Sequence, residues 1–174
     1  MSTPMIFTVL ISTSGTYSLP LTYPVSTNVT INWGDGNTET NVPISTTLKT
    51  HAYTSNATPY TITLTASGTT GTFGSSVASS LSKNITTVTQ WGTIGITKLT
   101  NAFYNATGLT SVPSNIPTDI TTMSGMFSGC TAFNQTINFT TSSSLTDISS
   151  MFLSCSNFNS TVTISNTSGV TTTT

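Results

Sequence analysis

Ile120-Thr-Thr-Met123-Ser-Gly-Met126-Phe127-Ser-Gly-Cys130-Thr-Ala-Phe133-Asn134 returns further along the chain as Leu145-Thr-Asp-Ile148-Ser-Ser-Met151-Phe152-Leu-Ser-Cys155-Ser-Asn-Phe158-Asn159. The offset between the copies is constant at about 25 residues. That lies inside the ~20–50-residue period of a stacked array, in which each unit buries its apolar face against its neighbours. A weaker copy, Ile96-Thr-Lys-Leu99-Thr-Asn-Ala102-Phe103-Tyr-Asn-Ala106-Thr-Gly-Leu109, precedes these two. Leu81-Ser-Lys-Asn-Ile85-Thr-Thr-Val88-Thr-Gln-Trp91-Gly92 gives a fourth start. Within each copy the apolar positions fall three or four apart (Ile120, Met123, Phe127, Cys130), which predicts a short helical turn. The segments that follow, Leu109–Val112, Thr136–Phe139 and Thr161–Ile164, alternate as strands do.

Before the repeats, the chain reads as strands separated by turns. Ile6–Ile11, Ser18–Tyr23, Asn28–Trp33 and Tyr60–Thr65 alternate or nearly so, as strands with one buried face do. Gly34-Asp35-Gly36-Asn37 is a compact turn signal, since glycine accepts positive φ and Asp and Asn close Asx turns. Several short strands at regular spacing suggest a sandwich. The Gly/Ser/Thr-rich stretch after residue 66 reads as a connector in which Phe73 and Val77 are the side chains able to dock. The expected organisation is therefore a β-sandwich over 1–70, a linker over 71–80, and a repeat array over 81–174. Its units lie near 81–95, 96–119, 120–144 and 145–169.

Both halves carry a resemblance. Thr30-Ile-Asn-Trp33-Gly-Asp-Gly36, His51-Ala-Tyr53 and Tyr60-Thr-Ile-Thr-Leu64 together resemble the PKD-type β-sandwich, although Pro59 stands where that family usually has glycine. The M-F-x-x-C-x-x-F-N copies resemble the BspA-like leucine-rich repeats. The order of a PKD-like part, a Gln90-Trp91-Gly92 segment, an A-F unit and M-F units is similar too. Phe139 and Ile164 occupy the place of that family's usual Trp. The resemblance implies an immunoglobulin-like module followed by a leucine-rich-repeat solenoid with short helical turns. It also implies surface proteins of bacteria, protists and large viruses or phages that act in adhesion or display.

Composition excludes several function classes. Three lysines, four acidic residues and no arginine leave 4% of the chain charged, against about 25% in ordinary soluble domains. Threonine alone makes up about a quarter of the sequence, so solubility rests on hydroxyls and amides. Nucleic-acid binding is unexpected without a basic stripe. No segment reaches the ~20 apolar residues of a membrane-spanning helix. The apolar run at Ile6–Ile11 lacks a basic flank and a cleavage box, and it reads as a strand rather than a secretory signal.

Each chemically suggestive group has a plainer reading. Cys130 and Cys155 hold equivalent places in adjacent units, near enough for a disulfide on distance alone, but their side chains point in parallel and small free thiols fill such a ladder; with only the distant His51 to add, they make no zinc site. The columns Phe103, Phe127, Phe152 and Leu109, Phe133, Phe158 read as a core spine rather than a binding track. Asn134 and Asn159 read as a ladder that satisfies turn backbones. Asp35 with Glu39 offers too few oxygens for calcium. His51 has no nucleophile beside it.

No enzyme activity, cofactor or metal is expected. The leading expectation is a structural or display protein of a virus or phage particle: a surface decoration, fibre or minor capsid component. It would be located on the virion or outside the cell. A cell-surface adhesin and a carbohydrate-binding module resting on Trp33 or Trp91 are the alternatives. The partners expected are other protein subunits in an oligomer or larger particle, or a host-surface glycan or protein. Nothing in Ser165–Thr174 resembles a cap, and solenoid ends need one. Either further repeats were removed or another subunit packs there; on the second reading Phe152, Phe158, Val162 and Ile164 are the interface candidates.

Overall fold

The computed structural model describes residues 2–12, 15–54, 58–67, 70–75, 80–165 and 167–173. Val77 lies outside them. Twelve strands account for nearly all regular structure: β1 Met5–Ile11, β2 Gly15–Ser18, β3 Leu21–Thr22, β4 Thr27–Asn32, β5 Thr38–Ile44, β6 Thr50–Tyr53, β7 Thr58–Ala66, β8 Gly71–Phe73, β9 Ile85–Gln90, β10 Ile96–Lys98, β11 Ile137–Thr140 and β12 Val162–Ser165. Among the described residues the one helical element is a 3₁₀ turn at Ser80–Ser82. The protein is mainly β, and among the described residues no sheet closes into a barrel.

The largest sheet has the order β5-β4-β7-β1-β9 and is antiparallel throughout. Alternation does what the sequence pattern requires: Met5, Phe7 and Val9 of β1 and Ile62 and Leu64 of β7 are fully buried on one face. Each such side chain contributes about 1.5–3 kcal/mol through burial. Two smaller sheets, β2-β6 and β10-β8-β3, add further layers. The stretch expected as one strand over Ser18–Tyr23 is split between them at Pro20, whose ring removes the N–H a continuous ladder would need.

The 71–80 connector begins with strand β8, which pairs with both β3 and β10, and Phe73 is fully buried against Phe7. The first unit, 81–95, contributes β9 to the five-stranded sheet by pairing with β1. Trp33-Gly34-Asp35-Gly36 closes the β4–β5 hairpin. Gly34 takes φ 81° and packs against the Thr61 backbone, a close approach that leaves no room for a Cβ.

From residue 96 the chain lies over itself at a fixed offset. Parallel bridges join Lys98 to Thr122, Thr122 to Asp147, and Asp147 to Thr172. A second column pairs β11 with β12 in parallel, Ile137 against Val162 and Phe139 against Ile164. The strand expected at Leu109–Val112 reduces to a single bridge from Ser111 to Thr87. There the Gln135 side chain takes the place of a neighbouring strand, accepting from the Val112 N–H and donating to its carbonyl, both at 2.8 Å.

The expected helical turns do not form. Residues 101, 105, 125, 129, 150 and 154 all have φ between 51° and 74°, a left-handed conformation every fourth residue that stops a helix from propagating. Two hydrogen-bond sets result. The amides of Met126, Ser128 and Cys130 turn back on the residue three before, whereas those of Phe127 and Gly129 reach across to Met151 and Leu153 of the next unit. Apolar spacing of three to four is thus produced by linked turns, not by α-helix.

Candidate interaction surface

The phenylalanine columns are the core of the repeats. Phe103 and Phe127 stack at 5.7 Å, Phe127 and Phe152 at 5.4 Å, and Phe133 and Phe158 at 6.1 Å. Phe127 also stacks on Phe133 at 4.4 Å, and Phe152 on Phe158 at the same distance. Through Phe73 the spine continues from Phe103 to Phe7 in the large sheet. Phe103, Phe127 and Phe133 are fully buried, so these three rings present no aromatic track to the outside.

At the last unit this burial stops. Phe127, Phe133, Ile137 and Phe139 are 0–1% exposed, but their equivalents one unit later are only partly covered. Phe152, Phe158 and Ile164 are half-buried, and Val162 is 39% exposed. The sequence-predicted interface residues therefore share one end of the stack. Leu153 joins them at 60% exposure, although the preceding unit carries the small polar Ser128 at that position. Ile148, Met151, Phe152, Leu153, Val162 and Ile164 line a concavity of ≈ 460 Å³. Its edge is also open: the amides of Phe152 and Ser154, equivalents of Phe127 and Gly129, have no partner among the described residues. No charged residue follows Asp147. The sequence singled out the four rungs but missed Leu153, whose signal was an apolar residue in the place of Ser128 one unit earlier.

The remaining candidates are occupied by structural work. Both cysteines are free, and each thiol donates to a carbonyl of the preceding unit: Cys130 to Phe103 at 3.0 Å, Cys155 to Phe127 at 2.7 Å. Burial, with a smaller push from Cys155, raises the Cys130 thiol well above its ordinary range, and burial raises Cys155 too. Thiols held protonated are poor nucleophiles and poor metal ligands. Asn134 accepts from the Asn159 amide at 2.7 Å, the ladder role read from the sequence.

Asp35 accepts from Asn37 through both oxygens and meets His51 Nε2 at 2.8 Å. Burial opposes its ionisation most, yet the bonds from His51 and Asn37 together hold the carboxyl below its usual value. Lys49 draws Glu39 down likewise, against burial and with help from the Trp33 indole N–H. His51 stacks on Trp33 at 4.6 Å, so ring and carboxylates form one hairpin clasp. Among the described residues no three of His, Cys, Asp or Glu gather as a ligand set. Trp33 and Trp91 are 0% and 1% exposed, which denies both indoles a sugar-stacking role.

Comparison with known proteins matches residues 72–174, more than half of the chain, to the family described as "Mycoplasma protein of unknown function, DUF285". No curated protein and no solved structure matches.

Proposed function

Because this chain belongs to the DUF285 family, we propose that it is a non-enzymatic structural or display protein that works through protein–protein contacts. We read residues 81–174 as a short BspA-like leucine-rich-repeat solenoid and residues 1–70 as a PKD-like sandwich. The parallel bridges at fixed offset support the first reading, and the Trp33–His51–Asp35 clasp on the hairpin supports the second. The observation that carries the function is the apolar, uncharged end of the stack. Buried rungs end there in a face that includes Phe152, Phe158, Val162 and Ile164, and contiguous apolar surface of this kind marks a contact site. A further repeat of a longer chain or a neighbouring subunit would cover it, and we propose the subunit.

The proposed setting is the exterior of a virus or phage particle, as a decoration, fibre or minor capsid component. A nearly uncharged chain suits such a place, since its contacts carry little electrostatic energy for salt to screen. A second reading, a bacterial cell-surface adhesin, is favoured by the family's description from Mycoplasma. Immunogold labelling with antibody to residues 2–67 tests both. Gold on the exterior of purified particles supports the first, and gold on the cell envelope the second. Exclusively internal labelling contradicts the display role.

A further inference from the structure

We infer that the groove across the parallel column of the repeats is a binding site for a neutral glycan chain, laid along the stack and held by hydrogen bonds. The site is separate from the end face of the last unit, and all of it lies within residues 72–147. Three observations select this class of ligand.

The first is the geometry of the column. Thr72 of β8 pairs with Lys98, and bridges continue from Lys98 through Thr122 to Asp147. Side chains at paired positions of parallel strands leave the same face, one rung every ~4.8 Å. Thr72, Lys98, Thr122 and Asp147 therefore form an in-register polar row. With Thr100 and Ser124 beside it, the row lines a concavity of ≈ 430 Å³. The Thr100 and Thr122 hydroxyls lie 3.4 Å apart, which joins the row to its neighbour.

The second is charge. Lys83, Lys98, Asp119 and Asp147 are the charged residues of 81–174, and Lys98 and Asp147 meet in this groove. Among the described residues the ion pairs are Lys49 with Glu39 and His51 with Asp35, so neither groove charge has a counter-ion. The two stand two rungs apart, about 10 Å. Asp147 Oδ1 accepts from the Ser149 N–H at 2.9 Å, and among the described residues nothing donates to its other oxygen. The groove thus has an unfilled donor toward one end, an unfilled acceptor toward the other, and no net charge.

The third is what the groove excludes. Among the described residues that line it there is no large apolar side chain, so an apolar helix face finds nothing to bury against. The backbone edges are used as well. The amides of Leu99, Thr121, Met123 and Thr146 all bond to carbonyls of a neighbouring unit, which leaves no ladder for an extended peptide to join. Cancelling charges supply no field to hold a polyanion or polycation. Hydroxyls donate and accept alike, an ammonium only donates and a carboxylate only accepts. A chain of sugar hydroxyls complements all three.

Amide chemical shifts of the isotope-labelled full chain test this, during titration with cellohexaose, xylohexaose, mannohexaose and maltohexaose. At least one should give saturable shifts centred on Lys98, Thr100, Thr122, Ser124 and Asp147, with an affinity that added salt leaves unchanged. Lys98→Met alters an exposed side chain; it should leave the melting temperature in place and weaken binding roughly tenfold or more, the worth of a charge-assisted hydrogen bond. Thr72→Val removes a hydroxyl at nearly constant shape and should weaken binding severalfold. Lys83→Met, at an exposed site outside the groove, should leave binding as it is. No shift with any of the four sugars, shifts centred elsewhere, binding lost in salt, or equal losses from Lys98→Met and Lys83→Met would each overturn the inference. Any of those results leaves the protein contact at the end face and the display role untouched.

Discussion

Truncating Phe127 to alanine should destabilise the protein far more than the same change at Phe152, its equivalent one unit later. Phe127 is fully buried, with Phe103 at 5.7 Å, Phe133 at 4.4 Å and Phe152 at 5.4 Å from its ring centroid. A buried phenylalanine removes roughly 150–250 Å² from water, about 4–6 kcal/mol at ~25 cal/mol per Å². Measured truncations of buried aromatics fall at about 3–5 kcal/mol. For a chain of this size that corresponds to a melting shift of about 6–20 °C. Phe152 is half-buried and has no ring beyond it, so Phe152→Ala should cost about 1–3 kcal/mol by the same area argument. Urea unfolding followed by near- and far-ultraviolet circular dichroism gives both values from midpoints and slopes. Equal losses at the two positions, or a loss below about 1 kcal/mol at Phe127, would refute the assignment of these rings to one continuous spine.

Three further outcomes follow from particular contacts. Tyr17 is buried and its hydroxyl has no partner among the described residues, so Tyr17→Phe should be neutral or stabilise by up to about 1 kcal/mol; a clear loss in calorimetric melting would contradict this. Asp35 and Glu39 have folded-state pKa values below those of the unfolded chain. Their contribution is full above the unfolded values of roughly 3.9 and 4.3 and is lost as pH falls through the folded ones. The urea midpoint should therefore drop on acidification below about pH 4, and the drop should be smaller in Asp35→Asn/Glu39→Gln. Excising residues 120–144 removes one whole unit and should leave a cooperatively folded chain. Excising 120–131 breaks the register and should not, as heat-unfolding cooperativity would show.

The strands of the first half were legible because each has a buried and an open face. β1, β4 and β7 lie within a few residues of the alternating runs that predict them. The repeat offset was legible because equivalent side chains must stack. What escaped was set by neighbours distant in sequence. β8 lies in a Gly/Ser/Thr stretch with no pattern of its own and is a strand because β3 and β10 flank it. Ile120–Cys130 has helical spacing but left-handed residues at Gly125 and Gly129, and periodicity alone does not reveal a φ sign. Of the candidate surface, Phe152, Phe158, Val162 and Ile164 follow from position in the array. Leu153 stands out only when set beside Ser128.

Central to the account is that residues about one repeat apart lie side by side in parallel register. A nuclear Overhauser spectrum of the isotope-labelled chain tests this directly. Backbone cross-peaks are expected between Ile137 and Val162, Asn138 and Thr163, and Phe139 and Ile164, with a matching series linking Lys98, Thr122, Asp147 and Thr172. Cross-peaks that instead run in opposite directions along 137–140 and 162–165, as in an antiparallel hairpin, would contradict it.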